Sequence, residues 1–493
     1  MIVKNIAGIS AQSRDTTWKW FIVITVIVAL SLILIVFPSP NLEKLSIQQQ
    51  VAYRNQALIT TAIVFLGLGV MIHAYYISKR TQALQKNAIA TEKNLAIGMQ
   101  NTKLFQDKVI ADCFLGAIAQ LGHEKVETRT GAIYALERVA QDFPQEHWTI
   151  MEILTAFVRE NAPIAPEHQH KTIVDLETRQ NRVHPDLQTD LHWQSELVKP
   201  RTDIQAALTV IGRRNYLLDK ENHKLDLRHT NMRKADLPKA NLQRVDLRGA
   251  DLCGSDLREC DLREADLDAA QLTGAILYEA SLVKANMRGT NLSWTNLNRA
   301  NLCGANLRTA NLFGASLRSA NLQNANLYKA NLQQATLKAA NLSGAKLFLA
   351  NLQGAKLGKA NLHLAGLIGA NLQGANLTGA NLQGANLNAA KLQHTDIYFA
   401  DLSTASLTEA DLSQAKLMGA NLAGATLEEA NLSWANLMGA NLLDAQMADV
   451  QLGGAILTGA KNLQLRQILV ALGDRTTRLP DYIEAPTNWR QSG

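Results

Sequence analysis

Leucine recurs at every fifth position from Leu227 to Leu457, broken only by Met232, Met287, Ile397 and Met447, through about 47 pentads without a slip of register. Two residues before each stands a small residue, usually alanine, as at Ala235, Ala240, Ala250 and Ala455; the residue between is mostly Asp or Asn. A period of five fits neither regular element. On an α-helix of about 3.6 residues per turn these leucines would spiral round every side. On a flat strand they would alternate between faces. They reach one core only if the chain turns a corner about every five residues. Leu and its small neighbour then point inward, and the two residues after Leu point outward. Coils of this kind pair their backbones in parallel at a spacing of about 4.8 Å. No coil buries its leucines alone, so stability comes from stacking.

This A-(D/N)-L-x-x register, over about 235 residues, resembles the pentapeptide-repeat family. The resemblance implies a right-handed quadrilateral β-helix with four repeats per coil, here at 221–460. Twelve coils at about 4.8 Å would make a rod of roughly 57 Å. Its open ends would be adhesive edges. Residues 461–493 answer this at one end. LQLRQILVAL (463–472) puts Leu465, Ile468, Leu469 and Leu472 on one helical face, and Leu479-Pro480, Pro486 and Trp489 follow. The segment resembles the family's C-terminal helical cap.

The N-terminal part reads as a two-helix transmembrane hairpin. Residues 18–37 (WKWFIVITVIVALSLILIVF) and 58–77 (LITTAIVFLGLGVMIHAYYI) are each long enough to cross a hydrocarbon core of about 30 Å. A cleaved signal peptide is disfavoured, because Phe37-Pro38-Ser39-Pro40 has no small-x-small pattern and a second span follows. Lys4, Arg14 and Lys19 precede the first span; Lys79, Arg80, Lys86 and Lys93 follow the second; the loop 38–57 holds only Lys44 and Arg54. The positive-inside rule then makes 1–17 cytoplasmic, 38–57 external and everything after 78 cytoplasmic.

Residues 78–220 read as an α-helical neck. Helices are expected over 78–122, 126–140, 148–160 and 203–214, with a polar linker near 162–200. Ala132, Ile133, Leu136, Val139 and Ala140 share one face; so do Ile150, Ile153, Leu154, Phe157 and Val158, and Ile204, Ala207, Leu208 and Ile211. This region resembles the helices that precede the repeats in many bacterial membrane-bound pentapeptide proteins, and looks like a fragment of a HEAT-type array. That resemblance implies no catalytic role.

Charge is segregated along the repeat. Residues 221–279 carry net −3, residues 280–395 carry 11 basic and no acidic residues, and residues 396–460 carry net −7. Residues 20 apart stack on one side, so Arg288 lies over Arg308 and Arg318 over Lys338, a basic waist. Apolar residues stack as well: Tyr328, Phe348 and Ile368 form one column, Tyr398, Met418 and Met438 another. Exposed apolar strips of this kind mark interaction surfaces. Gln333, Gln353, Gln373 and Gln393 form a third column, read as a structural amide ladder.

No nucleotide loop, HExxH, GxSxG or clustered catalytic set is present, and His168-x-His170 lacks cysteine partners. Cys113, Cys253, Cys260 and Cys303 have no CxxC spacing and read as free thiols. The Asp column (Asp226, Asp236, Asp246, Asp251, Asp256, Asp261, Asp266) gives way to Asn later in the repeat, so it reads as backbone hydrogen bonding rather than a metal site. No cofactor and no enzyme activity are expected. The expected function is a membrane-anchored scaffold that docks a cytoplasmic protein partner, with the oligomeric state open. The alternative is an anionic ligand, lipid or nucleic acid, bound through the basic waist. Nucleic acid is disfavoured because aromatics are not interleaved with the cations. Some family members that protect gyrase mimic DNA with an acidic rod; the basic waist here, and the lack of a dimerising hydrophobic C-terminal tip, depart from that pattern.

Overall fold

The computed structural model describes residues 16, 19–31, 33–34, 45–164 and 198–490. The 1–17 segment apart from Thr16, the tail of the first expected span, the first half of the loop at 38–57, and the linker with His168 and His170 lie outside the described residues. The chain divides into two units, Met1–Val109 and Ile110–Gly493.

In the first unit, a short apolar helix α1 runs Lys19–Ser31. Helix α2 runs Ile47–Leu121, its residues from Ile110 onward belonging to the second unit. Among the described residues α2 is the one helix long and apolar enough, by length and composition, to cross a membrane. Over 58–77 most of its apolar residues are exposed, Leu66 at 69% and Val70 at 67%, though Leu68 is buried. Helix begins at Ile47, inside the expected external loop of 38–57. Ser46 explains the early start. Its hydroxyl accepts from the Gln49 backbone N–H (3.4 Å) and the Gln49 side chain accepts from the Ser46 N–H (3.3 Å), a reciprocal cap. No Pro or Gly interrupts the residues that follow, up to the second expected span.

The second unit holds helices α3 (Val126–Asp142), α4 (His147–Asn161) and α5 (Thr202–Gly212). The apolar faces expected from sequence are buried, with Ile153 only partly so and Met151 added. Asp203 in α5 is fully buried, where the Arg129 guanidinium from α3 (2.7 Å) and Arg201 (3.0 Å) neutralise it. Opposing desolvation, these guanidinium bonds hold its carboxyl below the usual range.

From Asp226 onward the chain pairs with itself in one register. Parallel bridges join each residue before Leu to its counterpart 20 residues on, from Asp226↔Asp246 to Asn441↔Lys461. Four pentads therefore make a coil, and each coil has four sides. Pairing among the described residues is by single bridges, since each pentad turns before a longer strand forms. The turn closes with, for example, the Ala335 N–H donating to the Leu332 carbonyl (3.0 Å). The inward leucines and alanines are 0–6% exposed. We number the sides by their inward residues: face 1 (Leu227, Leu247 and so on to Met447), face 2 (Met232 to Leu452), face 3 (Leu237 to Leu457) and face 4 (Leu242 to Leu442). Faces 1 and 3 are opposite.

The helices close the first coil on all four sides. Arg159 donates to the Asp226 carbonyl (2.7 Å), the Ala162 carbonyl accepts from Asn231 N–H (2.7 Å), Gln205 accepts from Asp236 N–H (3.0 Å), and the Gly212 carbonyl accepts from Asn241 N–H (2.7 Å). Arg214 adds bonds to the carbonyls of Asn241 and Gln243.

At the far end, the segment after Leu463 pairs with the last coil with its spacing lengthened by one or two residues, as in Gln451↔Leu472 and Ile456↔Arg478. Here the expected amphipathic helix is corrected. Helix α6 is only Leu465–Leu469, and of the expected face only Ile468 is buried; Leu465, Leu469 and Leu472 are exposed. The chain leaves the helix at Val470 to make the Leu472 bridge, and Gln467 inserts to donate to the carbonyls of Leu442 and Ala445 (both 2.9 Å). Trp489 is buried, its ring over Gly473.

Candidate docking faces

Position in the pentad decides what an outward residue does. The residue before Leu bridges to the next coils and accepts from the backbone N–H two residues on, as Asn331 does from Gln333 (3.2 Å). Asn side chains also ladder between coils: Asn331 to Asn311 (3.0 Å) and Asn361 to Asn341 (3.2 Å). In the early coils Asp often holds the same position, and at four of them it takes an arginine two residues on as well. Arg228 binds Asp226 (2.9 Å), Arg248 binds Asp246 (2.6 Å) and Arg258 binds Asp256. The hydrogen bond from Arg228 holds the Asp226 carboxyl below the usual range, and Arg258 does the same for Asp256. No His, Cys, Asp and Glu group able to hold a metal ion occurs among the described residues. The expected glutamine ladder has one rung among them, Gln333 to Gln353 (2.9 Å); Gln393 turns to Asp411 (2.6 Å).

The 20-residue register redistributes the candidate surface. Arg288 and Arg308 are in the same column of face 1 as Tyr328, Phe348 and Ile368. Arg318 and Lys338 are in the same column of face 3 as Tyr398, Met418 and Met438. The two basic pairs are therefore on opposite sides; on face 1 Arg308 is followed directly by Tyr328, whereas on face 3 Gly358 and Thr378 stand between Lys338 and Tyr398. All four cations are exposed; Tyr328, Phe348, Tyr398 and Met418 are half-buried; Ile368 and Met438 are exposed.

On face 1 the Arg308 guanidinium lies 5.0 Å from the Tyr328 ring centre, with Lys329 on the same ring at 5.4 Å. Phe348 lies against Gly366, where a Cβ would meet its ring at 2.6 Å. Arg288, Asn306, Arg308 and Thr309 line a hollow of about 350 Å³. On face 3, Phe399 is 73% exposed beside Tyr398, its ring over Gly419. From Arg318 to Gly459 this face carries a single acid, Asp396, paired with Lys416 at 3.0 Å.

Sequence reasoning missed an aromatic pair on face 2, Trp294 against Phe313, edge to face at 5.4 Å. Residues 19 apart sit on neighbouring coils, one in the last and one in the next-to-last place of its pentad, and the 20-residue column does not contain both.

The bridges and the buried ladder define a four-sided parallel β-solenoid. Residues 225 to 444 match the family model described as pentapeptide repeats, in eight overlapping copies. The chain is similar to HetL, a pentapeptide repeat protein involved in heterocyst differentiation regulation from the cyanobacterium Nostoc sp. strain PCC 7120, with 32% identity over 46% of this chain and 91% of that one, TM-score 0.30. It is similar to Rfr23 from the cyanobacterium Cyanothece 51142, with 30% identity over 23% of this chain and 90% of that one, TM-score 0.22. A trypsin-treated form of QnrB1, a plasmid-mediated fluoroquinolone resistance protein, aligns at 18% identity over 41% of this chain and 92% of its own, TM-score 0.28. Comparison with curated proteins gives no match. The chain belongs to the pentapeptide-repeat family, whose repeats imply a right-handed quadrilateral β-helix.

Proposed function

We propose that this chain is a non-catalytic, membrane-anchored docking protein. The spans 18–37 and 58–77 form the anchor, both termini and the repeat lie in the cytoplasm, the helices of 78–220 and the segment 461–493 cap the two ends, and face 3 receives a protein partner. The observation that carries the reading is the composition of face 3. Tyr398, Phe399, Met418 and Met438 stand together, and Arg318 and Lys338 continue their column with one acid on the whole stretch. An apolar patch flanked by unopposed cations fits a partner surface that is apolar and acidic. Membership of a family of interaction proteins supports the class of function, and the fold alone does not specify the partner.

The test is co-purification from gently solubilised membranes with the full-length chain. Arg318→Glu with Lys338→Glu on face 3 is expected to lose a specific partner, and Arg288→Glu with Arg308→Glu on face 1 to keep it. Loss only with the face 1 pair would move the docking site to the hollow at Arg288 and Arg308 and favour an anionic ligand there. No specific partner for the unmodified chain would end the docking reading.

A further inference from the structure

Face 1 holds an order that partner docking on face 3 does not use. With Ile368 as origin, Arg288, Arg308 and Lys329 lie four, three and two coils before it. Asp449, Glu428 with Glu429, and Glu409 lie four, three and two coils after it. One coil before the origin stand Phe348 and Leu349; one coil after stand Asn388 and Ala389. Reversing the face end for end about Ile368 lays Arg288, Arg308 and Lys329 on carboxylates, while Lys346, one coil before the origin, falls on Asn386.

The positions within the pentad agree for two of the pairs, while Arg288 is a first outward residue and Asp449 a second. Arg308 and Glu428 are both first outward residues, and Lys329 and Glu409 are both second. When two faces meet about a two-fold axis running across them, each lateral position meets its own kind, so these pairs fall opposite one another. We propose that face 1 is a self-complementary interface through which two copies of this chain pair side by side and antiparallel, about a two-fold axis at Ile368. Such an interface is isologous: what one copy offers, the other receives.

Three observations support a second copy as the occupant. Arg288, Arg308, Lys329, Glu409, Glu428, Glu429 and Asp449 are all exposed, and none has an ion-pair partner among the described residues. Arg228 and Arg248, in the same column, each have a carboxylate within their own pentad, so leaving the later charges open is not a property of the fold. The centre of the face carries exposed apolar side chains beside Lys346, Leu349 at 51% and Ile368 at 38%; Leu349 leans over Gly369 of its own chain, and Ala389 leaves space where a second face would bring its Leu349. Parallel, in-register pairing would instead set Arg308 on Arg308 and Glu428 on Glu428. The matched stretch covers eight coil spacings, about 38 Å at roughly 4.8 Å each. Face 3 lacks the pattern, since one acid stands against its cations.

The test uses the full-length chain in detergent, with Cys113→Ser removing the exposed thiol. Ile368→Cys faces its own symmetry mate, so mild oxidation is expected to give a covalent dimer; Thr378→Cys on face 3 is expected to give none. By sedimentation equilibrium, Arg308→Glu is expected to weaken association roughly tenfold or more. Adding Glu428→Arg to the same chain restores it, because Arg308 of one copy meets Glu428 of the other. A monomeric native chain, equal cross-linking at positions 368 and 378, or a double variant no better than Arg308→Glu would each overturn the proposal. None of these results bears on face 3, so the docking reading stands or falls separately.

Discussion

The Trp434 ring lies against Gly454, one coil further on, so closely that a Cβ there would stand 2.5 Å from the indole. The same relation joins Trp294 to Gly314 (2.7 Å), Phe399 to Gly419 (2.7 Å) and Leu364 to Gly384 (2.9 Å). Left-handed backbone is not the reason for the glycine, since Trp434 itself has φ 60° at the equivalent position. The large side chain leans over the next coil, and only glycine leaves it room. Gly454→Ala is therefore expected to cost more than Gly439→Ala, whose φ (67°) is within a degree of Gly454's (66°) and which has nothing within 4 Å. The control should lose roughly 1 kcal/mol for the left-handed backbone alone, and Gly454→Ala a further 1 to 3 kcal/mol or so for the displaced ring. Thermal unfolding of the two variants measures this, and equal losses would contradict it.

Arg214 closes the first coil from within. Its side chain is 1% exposed, bonded to Asp219 (3.0 Å) and to the carbonyl of Gln243 (2.7 Å). Arg214→Met leaves Asp219 and two carbonyls without their donor. A loss of roughly 3 to 5 kcal/mol is expected for breaking such a buried pair from one side. Because coils contact only their neighbours, amide exchange should quicken over 225–265 more than over 400–450.

Acid should loosen the early coils first. The Asp226 and Asp256 carboxyls are held below their usual range by hydrogen bonds from Arg228 and Arg258. A group with a depressed folded pKa contributes stability that is present above the unfolded value, about 3.9, and lost as pH falls through the folded value. At 280–395 no acid is present, so nothing there titrates in that window. Hydrogen exchange between about pH 5 and pH 2 should show 226–265 opening before 280–395, and the reverse order would refute the assignment.

The thiols should divide by burial. Cys253 and Cys260 are pushed up to about 12, chiefly by desolvation, while Cys113 is exposed. Iodoacetamide at mildly alkaline pH should therefore modify Cys113 in the native chain and leave Cys253 and Cys260 until it unfolds. Peptide mapping before and after denaturation checks this.

The leucine period alone dictated an inward ladder and a turn in every pentad, and the helix faces around Ile133, Leu154 and Leu208 were legible from their 3.6-residue spacing. Three things were not. The Ser46–Gln49 cap that starts α2 sits within a stretch read as loop, where polar composition outweighs a two-residue signal. At the C-terminus, Leu465, Leu469 and Leu472 look like a helical stripe, but backbone pairing of Leu472 with the last coil takes precedence over it. By spacing alone the basic and apolar columns read as separate features. Only when the 20-residue register is carried past Arg308 to Ile368, and past Lys338 to Tyr398, do they become one column each, on opposite faces.

The most direct test of face 3 as the docking surface is site-specific photo-cross-linking in cells. A photoreactive residue replaces Met418 on face 3 or, in a second full-length variant, Leu443 on face 4. Docking through face 3 predicts one discrete adduct with another protein from position 418, lost when Arg318→Glu and Lys338→Glu are added, and none from position 443. The same adduct from both positions, or none from 418, would contradict it.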